Sequence, residues 1–174
     1  MKNDCTKTTR RNFIARTTAS LATVSIVPSY VLGLRGATPP SEKLNIAGIG
    51  VGGQGAGDIQ NVSSENLVAL CDVDSQRAGA TFAKFPKARQ FQDFRRMLDE
   101  LGKEIDAVVV ATPDHLHSVV AMQAIKMGKH VYCEKPLAHS IYEVCQLRRG
   151  QSLSPARFSR RMEFVADRLK SGIR

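Results

Sequence analysis

The stretch Leu44–Gly55, LNIAGIGVGGQG, constrains the fold more than any other part of this chain. Its apolar run, Leu44 to Ile49, leads straight into Gly50-Val51-Gly52-Gly53-Gln54-Gly55, a G-x-G-x-x-G. Where such a segment bends from strand to helix, the first glycine permits the tight turn. The second lets the main chain approach a pyrophosphate, and the third lets helix and strand pack closely. The helix that follows then aims its unpaired N–H groups and the positive end of its dipole at the anion. Glycine-rich turns also arise for purely structural reasons, so the reading depends on what surrounds the motif.

The surroundings agree with it. A second apolar run, Leu67-Val68-Ala69-Leu70-Cys71, ends in Asp72-Val73-Asp74, which puts Asp72 22 residues beyond Gly50. A dinucleotide fold places there the acid that bonds the adenosine ribose hydroxyls. A carboxylate repels a 2′-phosphate, so NAD is expected, with NADP left open because Arg77 lies close in sequence. Asp74 reads instead as a cap for the next helix.

The rest of the middle alternates strand and helix, as a doubly wound α/β fold requires. Ser75–Phe85 reads as a helix ended by Pro86, and Arg89–Phe91 as a short third strand. Asp93 caps a helix through Leu101, with Gly102 at its stop. Asp106–Ala111 is the β-branched run of a buried parallel strand. Pro113 suits the first turn of a helix that runs to Met127 and stops at Gly128. His130–Cys133 forms a fifth strand, and Ser140-Ile141-Tyr142-Glu143 is a capping box opening a last helix that stops near Gly150.

Ligands of such sheets bind beyond the carboxyl ends of the strands. Those ends carry the glycine loop, Asp72, Thr112-Pro113-Asp114-His115-Leu116-His117 and Glu134-Lys135-Pro136. A lysine beside a nicotinamide can bond a substrate hydroxyl or carbonyl oxygen and stabilise developing negative charge. The plainer alternatives are that Asp114 only caps, His115 is a surface residue and Glu134–Lys135 is a solvated pair.

Charge separates the ends from the middle. The net charge of +9 suggests nucleic acid at first, but residues 1–36 carry +5 and 147–174 carry +6, leaving −2 over 37–146. The folded part has no basic face, and no nucleic-acid partner is expected. At 174 residues and 43% hydrophobic content, the chain suits one domain with tails. Thr9-Arg10-Arg11-Asn12-Phe13-Ile14 is a twin-arginine signature, followed by the uncharged run Thr17–Leu34. Residues 1–39 thus read as an export leader and linker for the twin-arginine (Tat) machinery, directing the chain to the periplasm. The threonines, serines and Pro28 of the run argue against a retained membrane anchor. The cysteines match no zinc spacing and read as buried free thiols, and no metal site is expected.

GIGVGGQG, VALCDVD, AVVVATPDHLH and HVYCEKPLA resemble the glucose–fructose oxidoreductase, inositol dehydrogenase and MocA family over residues 42–148, with the E-K-P as the most specific element. The resemblance implies a Rossmann half that binds NAD or NADP and a hydride transfer to or from a sugar or polyol. It implies that Gly50–Gly55 cradle the pyrophosphate, that Asp72 binds the ribose, and that Thr112, Pro113 and His117 line the nicotinamide side. Glu134 would contact the cofactor and Lys135 would be the active-site lysine.

The family continues into a sixth strand and an α+β substrate domain with a catalytic histidine and, in most members, the oligomer surface. Residues 149–174 show no β-branched run for such a strand, and Arg160–Ile173 reads as a basic amphipathic helix. A truncated form is expected, with its sheet ending at strand five on an exposed apolar edge. Two further readings stay open: a nucleotide-binding module without turnover, and an NAD-using glycosidase.

Overall fold

A computed structural model of the chain describes residues 43–155 together with 158 and 159. The twin-arginine leader, Cys5 and the expected helix at Arg160–Ile173 lie outside the described residues. Strands β1 (Asn45–Ile49), β2 (Asn66–Cys71), β3 (Arg89–Phe91), β4 (Ala107–Val110), β5 (His130–Cys133) and β6 (Phe158–Ser159) form one sheet in the order β3-β2-β1-β4-β5-β6. All its pairings are parallel. Helices α1 (Gln54–Asn61), α2 (Gly79–Lys84), α3 (Phe94–Leu101), α4 (Asp114–Lys126) and α5 (Ile141–Ser152) connect the strands. This is the doubly wound order whose direction of growth reverses at β1.

Alternation along the strands builds the two layers. Ala47, Ile49, Val108, Val110, Val131 and Cys133 turn to one face, where α3, α4 and α5 supply Met97, Leu98, Ala121, Ile125 and Leu147. Ile46, Leu70, Ala107, Val109 and Tyr132 turn to the other, against Ile59 of α1 and Phe82 of α2. Each central strand is covered on both sides, so Ala107–Val110 needs no polar residue and has none.

Local chemistry sets most element ends. The Asp93 carboxylate accepts from the Arg95 N–H at 2.9 Å at the start of α3. At α5 the Ser140 hydroxyl accepts from the Glu143 N–H, and the Glu143 carboxylate accepts from the Ser140 N–H at 3.0 Å. Burial pushes the Glu143 carboxyl upward. Hydrogen bonds from the Ser118 hydroxyl, the Ser140 and His139 N–H groups and the Ser140 hydroxyl outweigh it, and the net direction is down. Gly128 adopts φ +74° just past α4, the left-handed stop that glycine supplies.

Four expectations change. Helix α2 begins at Gly79 rather than Ser75, because the Asp74 carboxylate accepts from the Gln76 and Arg77 N–H groups and holds a separate turn first. Helix α5 runs past Gly150 to Ser152; a Cβ at Gly150 would meet Met122 Sδ at 2.9 Å, so this glycine serves helix packing, not termination. Cys71 and Cys133 are buried free thiols, each pushed up to about 12 chiefly by burial, but Cys145 is exposed. The sheet does not end at strand five: Phe158 and Ser159 pair with Val131 and Tyr132. Strand pairing uses main-chain groups, so a two-residue edge strand needs no β-branched run to announce it. Among the described residues no helix is long and apolar enough to cross a membrane.

Candidate functional site

The sheet's hydrogen bonding continues past the strand ends and assembles the site from main chain. The Gly50 N–H donates to Cys71 O at 2.8 Å, Ala111 N–H to Ile49 O at 2.9 Å and Glu134 N–H to Val110 O at 2.9 Å. The glycine loop, the Thr112 segment and Glu134-Lys135 therefore stand side by side at the carboxyl edge of β1, β4 and β5. This is the crevice in which open parallel sheets bind their ligands.

On one side lies the glycine loop. Gly50 has φ +80°, and a Cβ there would fall 2.7 Å from the main chain of Ala111 and Thr112. Gly55 is buried, and a Cβ on it would strike Gly50 O, so the start of α1 presses directly on the turn. Helix α1 has no capping side chain and no acid in its first turn. Its first turn thus lacks the side-chain partner that Asp93 gives α3 and Ser140 gives α5. Val51 points into the core, and Gly52, Gly53 and Gln54 form the accessible rim.

Asp72 ties this loop to β2. One carboxylate oxygen accepts from the Gly52 N–H at 2.9 Å, and the other accepts from the Asp74 N–H at 3.0 Å. A carboxylate has about four acceptor positions, so two main-chain donors leave room for ribose hydroxyls. Arg77 flanks the loop: a Cβ on Gly52 would meet its Cγ at 2.8 Å and one on Gly53 its Nη2 at 2.9 Å. A cavity of about 380 Å³ runs along this wall, lined among others by Gly50, Gly52, Asp72, Arg77, Thr112 and Pro113.

The opposite wall is made by side chains. The Thr112 hydroxyl oxygen is buried and finds no partner among the described residues. Buried hydroxyls are rarely left unpaired, so this one fits a ligand group in the crevice. Glu134 is half-buried and accepts from the Tyr132 hydroxyl at 2.5 Å and from the Lys135 N–H at 3.1 Å. Burial, then the hydrogen bond to Glu134, pushes the Tyr132 phenol up and keeps it a donor. Lys135 is exposed beyond a half-buried neighbour.

His117 stands apart from the rest. It is 2% exposed, with Nε2 2.7 Å from Thr112 O and Nδ1 2.5 Å from Pro136 O. The structure places it behind the wall, not on it. His115 is exposed, beside Asp114.

One acid escaped the sequence reading. Asp58 of α1 is 4% exposed and its Oδ2 has no partner among the described residues. Burial, and then the negative charge of Glu134, pushes its carboxyl up to about 6. The signal was available: Gly55, Asp58 and Ile59 share the buried side of α1, so an acid there had to face inward.

The glycine cradle, the uncapped α1 and the free acceptor capacity of Asp72 fit a dinucleotide diphosphate with an unphosphorylated ribose. Comparisons with known proteins point the same way. The chain is 36% identical over 130 residues to inositol 2-dehydrogenase 2 of Saccharopolyspora erythraea, covering 69% of this chain and 38% of that protein. It is 31% identical over 136 residues to a glycosyl hydrolase family 109 protein of Shewanella amazonensis, covering 72% and 30%. Among solved structures, the WlbA dehydrogenase of Bordetella pertussis in complex with NADH and UDP-GlcNAcA matches with a TM-score of 0.61 and 26% identity, covering 75% of this chain and 43% of that one. The chain thus spans less than half the length of each. The model of an oxidoreductase family with an NAD-binding Rossmann fold matches residues 43–150. The chain accordingly belongs to the Gfo/Idh/MocA oxidoreductase family, and the sheet described above is its NAD-binding Rossmann domain.

Proposed function

We propose that this chain serves hydride transfer between NAD and a sugar or polyol, with Lys135 at the reacting oxygen. The observation that carries the reading is the continuation of the sheet's hydrogen bonds past β1, β4 and β5, which aligns the glycine cradle with Thr112 and Glu134-Lys135. Bound in this crevice, NAD supplies the hydride acceptor. Gly50–Gly55 and the start of α1 hold the diphosphate, and Asp72 accepts from the ribose hydroxyls. Thr112 and Pro113 shape the nicotinamide side, while Glu134, braced by Tyr132, orients the cofactor. With the hydride going to NAD and the hydroxyl proton to solvent water, the Lys135 ammonium would donate to the substrate oxygen and stabilise the negative charge that develops on it.

The test is turnover of a panel of inositols and sugars by the full chain, read by absorbance of reduced nicotinamide. The expectation is activity that Lys135→Met lowers by about 10²–10⁴-fold while NADH binding persists. Binding without turnover on any polyol would favour a nucleotide-binding module. The likeness to the family 109 protein favours one second reading, an NAD-using glycosidase. Release of sugar from a glycoside without net cofactor reduction would select it.

The segment Thr9–Ile14 supports export by the twin-arginine route to the periplasm. Replacing Arg10 and Arg11 by lysine should leave the protein in the cytoplasm, measured by cell fractionation; unchanged export would refute this route.

A further inference from the structure

His117 makes two contacts that a neutral imidazole cannot both satisfy. Its Nε2 lies 2.7 Å from Thr112 O and its Nδ1 2.5 Å from Pro136 O. Both partners are main-chain carbonyls, which only accept. A neutral ring carries one N–H and one lone pair, so one contact would set a lone pair against a carbonyl oxygen. Rotating the ring by half a turn does not help, because C–H groups would then occupy both positions. Only the imidazolium offers a donor to each carbonyl, and a charged donor makes the shorter, stronger hydrogen bond.

The two carbonyls belong to the two segments that flank the nicotinamide side. Thr112 ends the β4 wall, and Pro136 follows Lys135 on the β5–α5 loop. We propose that His117 is a positioning residue: its imidazolium staples these segments together and sets the reach of Lys135 across the crevice. The role assigned to Lys135 rests on the function proposed above; the staple itself does not. Ionisable groups near the ring along the chain include Asp114 and His115 on its own helix, Tyr132 on β5, Glu134, Lys135 and His139 on the loop, and Tyr142 and Glu143 at the start of α5. The ring's burial separates it from bulk water.

The experiment uses the full chain labelled with ¹⁵N-histidine and a long-range ¹H–¹⁵N correlation spectrum. The His117 signal is assigned by its disappearance in His117→Gln or, should that variant not fold, by its survival after diethyl pyrocarbonate has modified the exposed histidines. Both ring nitrogens should resonate as protonated in the folded protein. A pattern of one protonated and one bare nitrogen overturns the proposal.

A second readout separates positioning from packing. His117→Gln can keep an N–H toward Thr112 and His117→Asn one toward Pro136, so each preserves one half of the staple. Each should weaken NADH binding about tenfold, the scale of one hydrogen bond to a charged group. Each should also lower kcat at saturating NADH, because Lys135 is no longer held at the reacting oxygen. A kcat at saturating NADH equal to the wild type's in both variants overturns the positioning role. A staple confirmed by the spectrum in a protein whose Lys135→Met variant turns over normally would instead sink the function assigned to Lys135.

Discussion

The two walls of the crevice are built from different materials. The glycine wall is main chain: a positive-φ turn, the uncapped start of α1, and one carboxylate, Asp72, bonded to two N–H groups. The lysine wall is made by side chains: Thr112 just past β4, and Tyr132 and Glu134 at the end of β5, with His117 of α4 bracing it from behind and Asp58 of α1 close enough to feel the charge of Glu134. A wall of main chain tolerates no change where the backbone is close and much change elsewhere. A wall of side chains is sensitive to protonation. The contrast teaches that the nucleotide end depends on shape and the reactive end on charge.

The largest effect expected is at the turn. Gly50→Val places a branched side chain at φ +80° and 2.7 Å from the main chain of Ala111 and Thr112. Urea unfolding should show a loss of about 3 kcal/mol or more. At Gly52 a Cβ would meet Arg77 Cγ at 2.8 Å and the Arg77 main chain at 3.4 Å, so the arginine must shift to make room. Gly52→Leu should cost about 1–2 kcal/mol of stability, less than Gly50→Val, yet abolish close approach of a diphosphate, with NADH fluorescence titration as the readout. A folded Gly52→Leu variant with wild-type affinity would break the account of the glycine wall.

On the other wall the expected effect is a pH slope. The Asp58 carboxyl sits at about 6 when folded, against an ordinary 3.8, so the folded protein keeps a proton that the unfolded chain releases. Its contribution to stability is fully present below about pH 4 and is lost as pH rises through about 6, by up to about 3 kcal/mol in total. Asp58→Asn removes this dependence. The stability difference between wild type and variant, measured in urea from pH 4 to 7, should swing toward the variant as pH rises; a flat difference would mean that the acid is not held out of water.

Asp72→Asn probes the carboxylate that ties the glycine wall to β2. It turns one acceptor into a donor facing an N–H group and should weaken NADH binding about tenfold by the same titration. The smallest effect belongs to a site on neither wall. Ser140→Ala removes the cap of α5 and should cost about 1 kcal/mol in urea unfolding without changing NADH affinity.

Much of the fold was legible because its signals are local. The β3 and β5 boundaries, the Asp93 cap and the Ser140–Glu143 box follow from neighbouring residues, and the structure reproduces them. The glycine wall was legible for the same reason, since Gly50–Gly55 and Asp72 are linked through one β-α-β unit. What was missed involved distant partners. Gly150 looked like a helix stop but makes room for Met122 of α4. Phe158–Ser159 carries no strand signature, yet pairs with β5. His117 was expected on the cleft surface, and its burial between two carbonyls depends on where Pro136 lands.

From its sequence alone this chain was committed to a parallel doubly wound sheet and to a nucleotide-binding bend. Both depend on backbone conformation and on short-range alternation of apolar residues, which neighbouring residues dictate. Only the tertiary structure decided which side chains face the crevice and which brace it from behind. Burial and hydrogen bonding between β4, β5 and α1 set the direction of His117, the raised carboxyl of Asp58 and the free hydroxyl of Thr112. Those interactions join residues far apart in sequence, and their energies exist only once the sheet has brought them within a few ångströms.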